Sequence, residues 1–195
     1  TGLAVLSRFP LANPGSEELA PARGIFPIGA QERRIAQRVE LALDQMSVVI
    51  YNAHFPLDAE ARVLAARRLW ARVAAEEAVL TVVGGDFNAQ PDEAPIRFLQ
   101  GQIPLDSRRG ALVDAWTTAG IGDAETYPTV APRARIDYIF YQAEPNIIVQ
   151  ETKVIGRTPH ALSDHAGVVA TFAISPSRAP ELPEEVEPVA TLEPV

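Results

Sequence analysis

Short apolar runs separated by Gly, Pro and acidic residues recur along most of the chain, and their spacing predicts strands alternating with helices. Gly2–Leu6 reads as a strand, and Pro14–Arg34, rich in Gly and Pro, as a loop. Arg38–Leu43 and Ser47–Asn52 read as adjacent strands turning at Asp44-Gln45. Asp58–Glu77 is the clearest helix, because Val63, Ala66, Trp70 and Val73 repeat at helical spacing with Leu69 beside them. Asp58 can cap it. Val79–Val83 reads as a buried strand and Asp92–Gln100 as a short helix. Ile136–Tyr141, Ile147–Ile155 and Gly167–Ile174 read as later strands. Such a mixture predicts an α/β (α+β) domain of sheets covered by helices over residues 1–174.

The pattern stops at Ser175. Residues 175–195 are dominated by Pro and Glu, and such a composition cannot bury enough apolar surface to offset its ordering entropy. An acidic, disordered tail is expected there. No internal repeat is visible.

Composition narrows the chemistry. Hydrophobic residues make up 47% and charged residues 22%, as in a globular domain, and no apolar run approaches the ~20 residues of a membrane helix. With no cysteine, thiolate metal sites and disulfides are excluded. A metal would sit on oxygen and imidazole ligands, which favours Mg²⁺, Mn²⁺ or Ca²⁺. The net charge is −8, and the last twenty residues, with one Arg and five Glu, carry −4 of it. An acidic domain has no electrostatic footprint for duplex nucleic acid. Arg33-Arg34 and Arg108-Arg109 are small pairs, suited to solvated surface or to single phosphate contacts.

Four segments offer chemistry. In Val83-Gly84-Gly85-Asp86-Phe87-Asn88 an apolar strand ends on two glycines and then presents Asp86 and Asn88 two residues apart. Such a segment alone reads equally well as a turn. Asn52 and His54 share one face at the end of the strand before the long helix, where a single His is more often structural. Asp137 lies inside an apolar strand, so it needs a partner: either a salt bridge with Arg135 or Arg133, or an imidazole that it orients. Ser163-Asp164-His165 supplies an imidazole just before the last strand, although a surface turn is an equal reading. Two of the chain's three histidines fall in these segments, which is the pattern of a polar site at strand ends.

Asn52-x-His54, Gly85-Asp86-Phe87-Asn88, Arg135-Ile136-Asp137-Tyr138-Ile139-Phe140 and Ser163-Asp164-His165 occur in this order. Together with Leu6-Ser7-Arg8-Phe9-Pro10 they resemble the endonuclease/exonuclease/phosphatase (DNase I-like) superfamily over residues 1 to about 174. The resemblance implies a four-layered α/β sandwich of two mixed sheets with outer helices, and Mg²⁺- or Mn²⁺-dependent attack of water on phosphorus. It implies that Asp86 positions or deprotonates the water, and that Asn88 holds phosphate or water. It makes Asp164 a metal ligand, with Asp86 and Asn88 also at the metal. His165, oriented by Asp137, would contact phosphate or act as base, while His54 would stabilise developing charge or protonate the leaving oxygen. Arg8 and Asn52 would touch substrate.

The family normally begins with a strand–helix–strand whose Gln-Glu supplies a principal metal ligand. This sequence starts after that point, and Glu17-Glu18 and Glu32 do not replace it. The expected substrate is a phosphate ester, with a small molecule or lipid headgroup favoured over nucleic acid, and the expected state is a monomer. Alternatives are a DNA endonuclease or repair exonuclease, and a catalytically inactive binding module.

Overall fold

The computed structural model describes residues 2–20, 33–43, 46–158 and 160–175. The Asp44-Gln45 turn and the Pro/Glu-rich tail beyond Ser175 lie outside the described residues.

Among the described residues six strands form the larger sheet. They are β1 (Leu11–Ala20), β2 (Arg34–Leu43), β3 (Met46–His54), β4 (Leu80–Asp86), β5 (Leu112–Asp114) and, after the short β6 (Gly120–Ile121), β7 (Asp137–Gln142). Their order is β1-β2-β3-β4-β7-β5. Only the β3–β4 pair is parallel, and the remaining pairs are antiparallel. A smaller mixed sheet, β6-β8-β9, adds β8 (Ile147–Ile155) and β9 (Gly167–Ile174). The parallel β3–β4 pair requires a crossover, and the helix α1 (Ala59–Val73) supplies it.

Local chemistry explains α1. Asp58 stays extended and its carboxylate accepts the Ala61 N–H at 2.8 Å, satisfying one of the orphan donors of the first turn. The buried face is Ala65, Ala66, Leu69 and Val73, rotated from the expected stripe so that Val63 and Trp70 lie at its margins. That face, with α2 (Ala94–Leu99), covers one side of the larger sheet around Tyr51, Phe55, Val83, Phe87 and Phe140. The smaller sheet packs on the other side through Ile147, Val149, Ala170 and Phe172 against Val48, Ile50, Leu80 and Tyr141. The result is the expected sandwich of two mixed sheets with helices outside.

Two charged networks tie layers together. The Arg38 guanidinium grips Glu76 with two bonds of 2.7 and 2.8 Å, and the Tyr51 hydroxyl donates to the same carboxylate. Arg135 is buried and donates to Asp114 at 2.6 Å, with its guanidinium 4.6 Å from the centre of the Tyr138 ring. Asp114 also caps α3 (Ala115–Ala119) by accepting the Trp116 N–H.

Two sequence expectations are corrected. Residues 2–10 carry no strand, and Pro14–Ala20, the start of the expected loop, belongs to β1 (Leu11–Ala20), while residues 21–32 of that loop lie outside the described residues. Pro14 lacks a donor, but β1 is an edge strand, and a register shift between Ala12 and Gly15 absorbs the irregularity. β5, α3 and β6 are too short for periodicity to announce them.

Candidate active site

Strand register builds the site. Along the parallel ladder His54 pairs with Asp86, and along the antiparallel ladder Asp86 pairs with Asp137. The last residue of β3, the last of β4 and the first of β7 therefore stand side by side at one edge of the sheet. Gly85 makes this possible. Its φ is +139°, and a Cβ there would lie 1.9 Å from the carbonyl oxygen of Ala53. Only glycine admits so close an approach of β3 to β4.

Beyond β4 the chain turns at once. The Asp86 carboxylate accepts the backbone N–H of Asn88 at 2.8 Å, and the Asn88 amide donates to the Phe55 carbonyl at 2.9 Å. Asn88 itself takes φ +47°, a left-handed conformation that Asn tolerates. The turn and the site are thus one object: Asp86 both closes the turn and faces the cleft. Phe87 inserts into the core on the far side, against Phe55, Tyr138 and Phe140.

His165 arrives from the loop before β9. Its Nδ1 lies 2.9 Å from Asp137 Oδ2. That pairing resolves the choice left open for Asp137: its partner is the imidazole, while Arg135 pairs with Asp114. Donation from Nδ1 to a carboxylate leaves Nε2 as the working nitrogen. Burial pushes the His165 pKa down, yet the bond it donates to Asp137 and the charges of Asp137, Asp86 and Asp164 outweigh it and the net shift is upward. Asp86 is also raised: burial disfavours its charge and Asp137 repels it, against the stabilising Asn88 N–H. His54 Nε2 lies 3.4 Å from Asp86 Oδ2.

Ligand atoms of Asp86, Asp137 and His165 all fall within 4.8 Å of one another. Asp164 stands outside this cluster among the described residues, with its side chain exposed and its carbonyl accepting the Thr129 N–H. Asn52 donates to the Ala4 carbonyl at 3.1 Å, which holds residues 4–6 along a cleft of about 450 Å³ that Asp86 and Asp137 also line. Arg8 is exposed in the irregular segment before β1 and does not line that cleft. Glu17 and Glu18, weighed as replacement ligands, sit on β1 and pair with Arg72 and Arg33. Glu32 lies outside the described residues.

Sequence reading missed Tyr127 and saw Arg34 only as one of a basic pair. Arg34 Nη1 lies 2.7 Å from the His54 ring nitrogens, and the Tyr127 ring centre is 4.8 Å from that of His165. Arg34 stands twenty residues from His54, and only the β2–β3 pairing brings them together. Tyr127 carried no sequence signal.

A two-sheet sandwich with carboxylates and imidazoles gathered on strand ends defines a class, and comparison with known proteins agrees. Residues 1–165 match the model of the Endonuclease/Exonuclease/phosphatase family. The chain belongs to that family. No curated protein matches it. Among solved structures, it is similar to the endonuclease/exonuclease/phosphatase from Bacteroides vulgatus, with a TM-score of 0.68 and 21% identity over 85% of this chain and 66% of that one. It is similar to a mannosyl-6-phosphatase of Bacteroides thetaiotaomicron, with a TM-score of 0.65 and 17% identity over 85% and 67% of the two chains. It is also similar to the catalytic domain of human nocturnin, solved with a bound sulfate anion, with a TM-score of 0.61 and 20% identity over 86% and 61%. The chain spans about two thirds of the length of these structures.

Proposed function

We propose that this domain is a divalent-metal-dependent phosphoric ester hydrolase, a phosphodiesterase that attacks phosphorus with an activated water. The observation that carries the reading is the Asp137–His165 pair set beside Asp86 and His54 at the ends of three hydrogen-bonded strands. Family membership and phosphatase or sulfate-bound neighbours support the same chemistry.

Asp137 fixes the His165 tautomer, so that Nε2 can hold a phosphoryl oxygen or take a proton from water. Asp86, with its pKa raised by burial, is suited to orient the water and accept its proton. Asn88 is fixed through its backbone N–H to Asp86 and its side-chain amide to the Phe55 carbonyl, and it would steady water or phosphate from there. His54, 3.4 Å from Asp86, would stabilise charge on the leaving oxygen or protonate it. The donors gathered at the strand ends, the Asp86 and Asp137 carboxylates and the His165 imidazole without thiolate, fit Mg²⁺ or Mn²⁺, and Asp86, with Asn88 beside it in the same turn, would hold the ion. When bound, the ion supplies Lewis-acid polarisation of the phosphoryl oxygen.

The acidic charge of −8 favours a small-molecule or lipid-headgroup ester over a nucleic-acid strand. The deciding experiment is hydrolysis of bis(p-nitrophenyl) phosphate. The expected rate requires Mg²⁺ or Mn²⁺ and disappears with EDTA. A rate that survives chelation removes the metal, and no rate under any condition leaves a binding module as the reading. A nuclease would instead bind DNA tightly and lose it steeply with salt.

A further inference from the structure

The wall of the site continues beyond His165 into a second cleft of about 440 Å³. Pro128, Val130, Ala161 and Leu162 give it apolar walls, and three hydroxyl side chains and Asp164, the neighbour of His165 in sequence, complete it. Leu162 stands fully in solvent and Val130 is 64% exposed. One exposed aliphatic residue means nothing. Here two apolar side chains from separate loops line one cleft.

Those loops are tied together. Thr129 is buried, its N–H donates to the Asp164 carbonyl at 2.7 Å, and its hydroxyl donates to the Ser163 carbonyl at 2.8 Å. The Ala166 N–H donates to the Thr126 carbonyl at 2.8 Å. Tyr127, on the same loop, lies against the His165 ring. Apolar groups are thus held open in water on a stitched frame attached to the working imidazole. None of the described residues lining the cleft is cationic and Asp164 is an acid, so they offer no positive charge to the next phosphate of a nucleic-acid strand.

We propose that this cleft is a subsite for a neutral hydrocarbon substituent, which makes the substrate class a phosphodiester bearing an alkyl or acyl chain. The inference rests on the hydrolase reading above. Such a chain can arrive on a dispersed ester or from a bilayer, and both present the same chemistry.

The test uses the full chain and p-nitrophenyl phosphodiesters carrying a methyl, butyl or octyl group, below their micelle concentrations. We expect kcat/KM to rise about twofold per methylene, less than the roughly fourfold of complete burial because the cleft is open. Val130→Ser with Leu162→Ser should lower the octyl-to-methyl ratio about tenfold or more. Both positions are exposed, so melting temperature should stay within a few degrees of the parent. A flat chain-length series, or a ratio unchanged in the double variant, overturns the proposal. A second measurement does not need turnover. Methyl NMR resonances of Val130 and Leu162 should shift saturably with octylphosphonate and not with methylphosphonate, and the absence of that difference overturns the subsite. Octylphosphonate binding without hydrolysis of any ester would refute the hydrolase reading while leaving the subsite standing. Sedimentation with phosphatidylcholine vesicles, lost in the double variant, identifies the bilayer as the source; no sedimentation identifies the dispersed ester.

Discussion

Gly84 and Gly85 offer a controlled comparison, because they are adjacent, share one strand and differ in what an added methyl would meet. At Gly84 a Cβ would lie 3.6 Å from the Tyr138 carbonyl oxygen, an ordinary contact. At Gly85 it would lie 1.9 Å from the Ala53 oxygen and 2.9 Å from the Ala53 nitrogen and carbonyl carbon, all of them backbone atoms that cannot rotate away. The φ of +139° adds strain that only glycine escapes. The backbone term costs about 1–3 kcal/mol, and forcing β3 from β4 adds about 1–3 kcal/mol as overpacking. Gly85→Ala should therefore cost ~2–6 kcal/mol, a large part of a typical domain stability of about 5–15 kcal/mol. At about 2–4 °C per kcal/mol, that is a fall in Tm of roughly 5–20 °C. Gly84→Ala should stay within about 1 kcal/mol of the parent, since its methyl enters ordinary contact. Thermal unfolding followed by circular dichroism reads both. Equal melting temperatures for the two variants, or a Gly85→Ala protein that melts with the parent, would refute the argument from close approach.

Asp86→Asn and His165→Ala should each lower kcat by about 10²–10⁴ with little change in Tm, and near-normal kcat in both would remove these groups from the chemistry. Asp114→Ala leaves the Arg135 charge buried without its carboxylate and should cost about 3–5 kcal/mol; urea unfolding with a cost under about 1 kcal/mol would contradict the buried pair. Bonds from Arg38, first, and then Tyr51 hold the Glu76 pKa below the usual carboxylate value. A depressed folded-state pKa contributes stability above the unfolded value and loses it as pH falls through the folded one. The stability gap between the parent and Glu76→Gln should accordingly be full at neutral pH and close below about pH 4. A gap that does not change with pH in urea titrations would sink this.

Much of the architecture was legible because its signals are local. Asp58 announced the start of α1, and Val79–Val83 and Gly167–Ile174 are apolar runs long enough to read as strands. The first ten residues were misread for the same reason: Gly2–Leu6 looks like a strand, but without a ladder partner among the described residues it stays irregular. β1 was hidden by Pro14 and Gly15, which signal loops except on an edge that bulges. At the site, spacing identified His54, Asp86, Asn88, Asp137 and His165 as candidates. It could not say that Asp137 meets His165 and not Arg135, because that choice is made by strand register and the loop before β9. Arg34 was visible only as one of a basic pair, and its place beside His54, like that of Tyr127 beside His165, comes from strand pairing and loop packing.

The ladder from His54 through Asp86 to Asp137 also bears on how the protein comes together. Its three members are supplied by stretches of chain separated by an entire crossover and by the whole β5–α3–β6 excursion, and His165 is added later still. The β3–α1–β4 unit sets His54 beside Asp86, but Asp137 joins them only when β7 pairs with β4, and His165 only when the loop before β9 closes. Contacts of such high sequence separation carry a loop-closure cost and tend to slow folding. The chemistry is therefore a property of the finished sheet, and restored hydrolysis during refolding would report that the last long-range pairing has closed, after helix signals had already recovered.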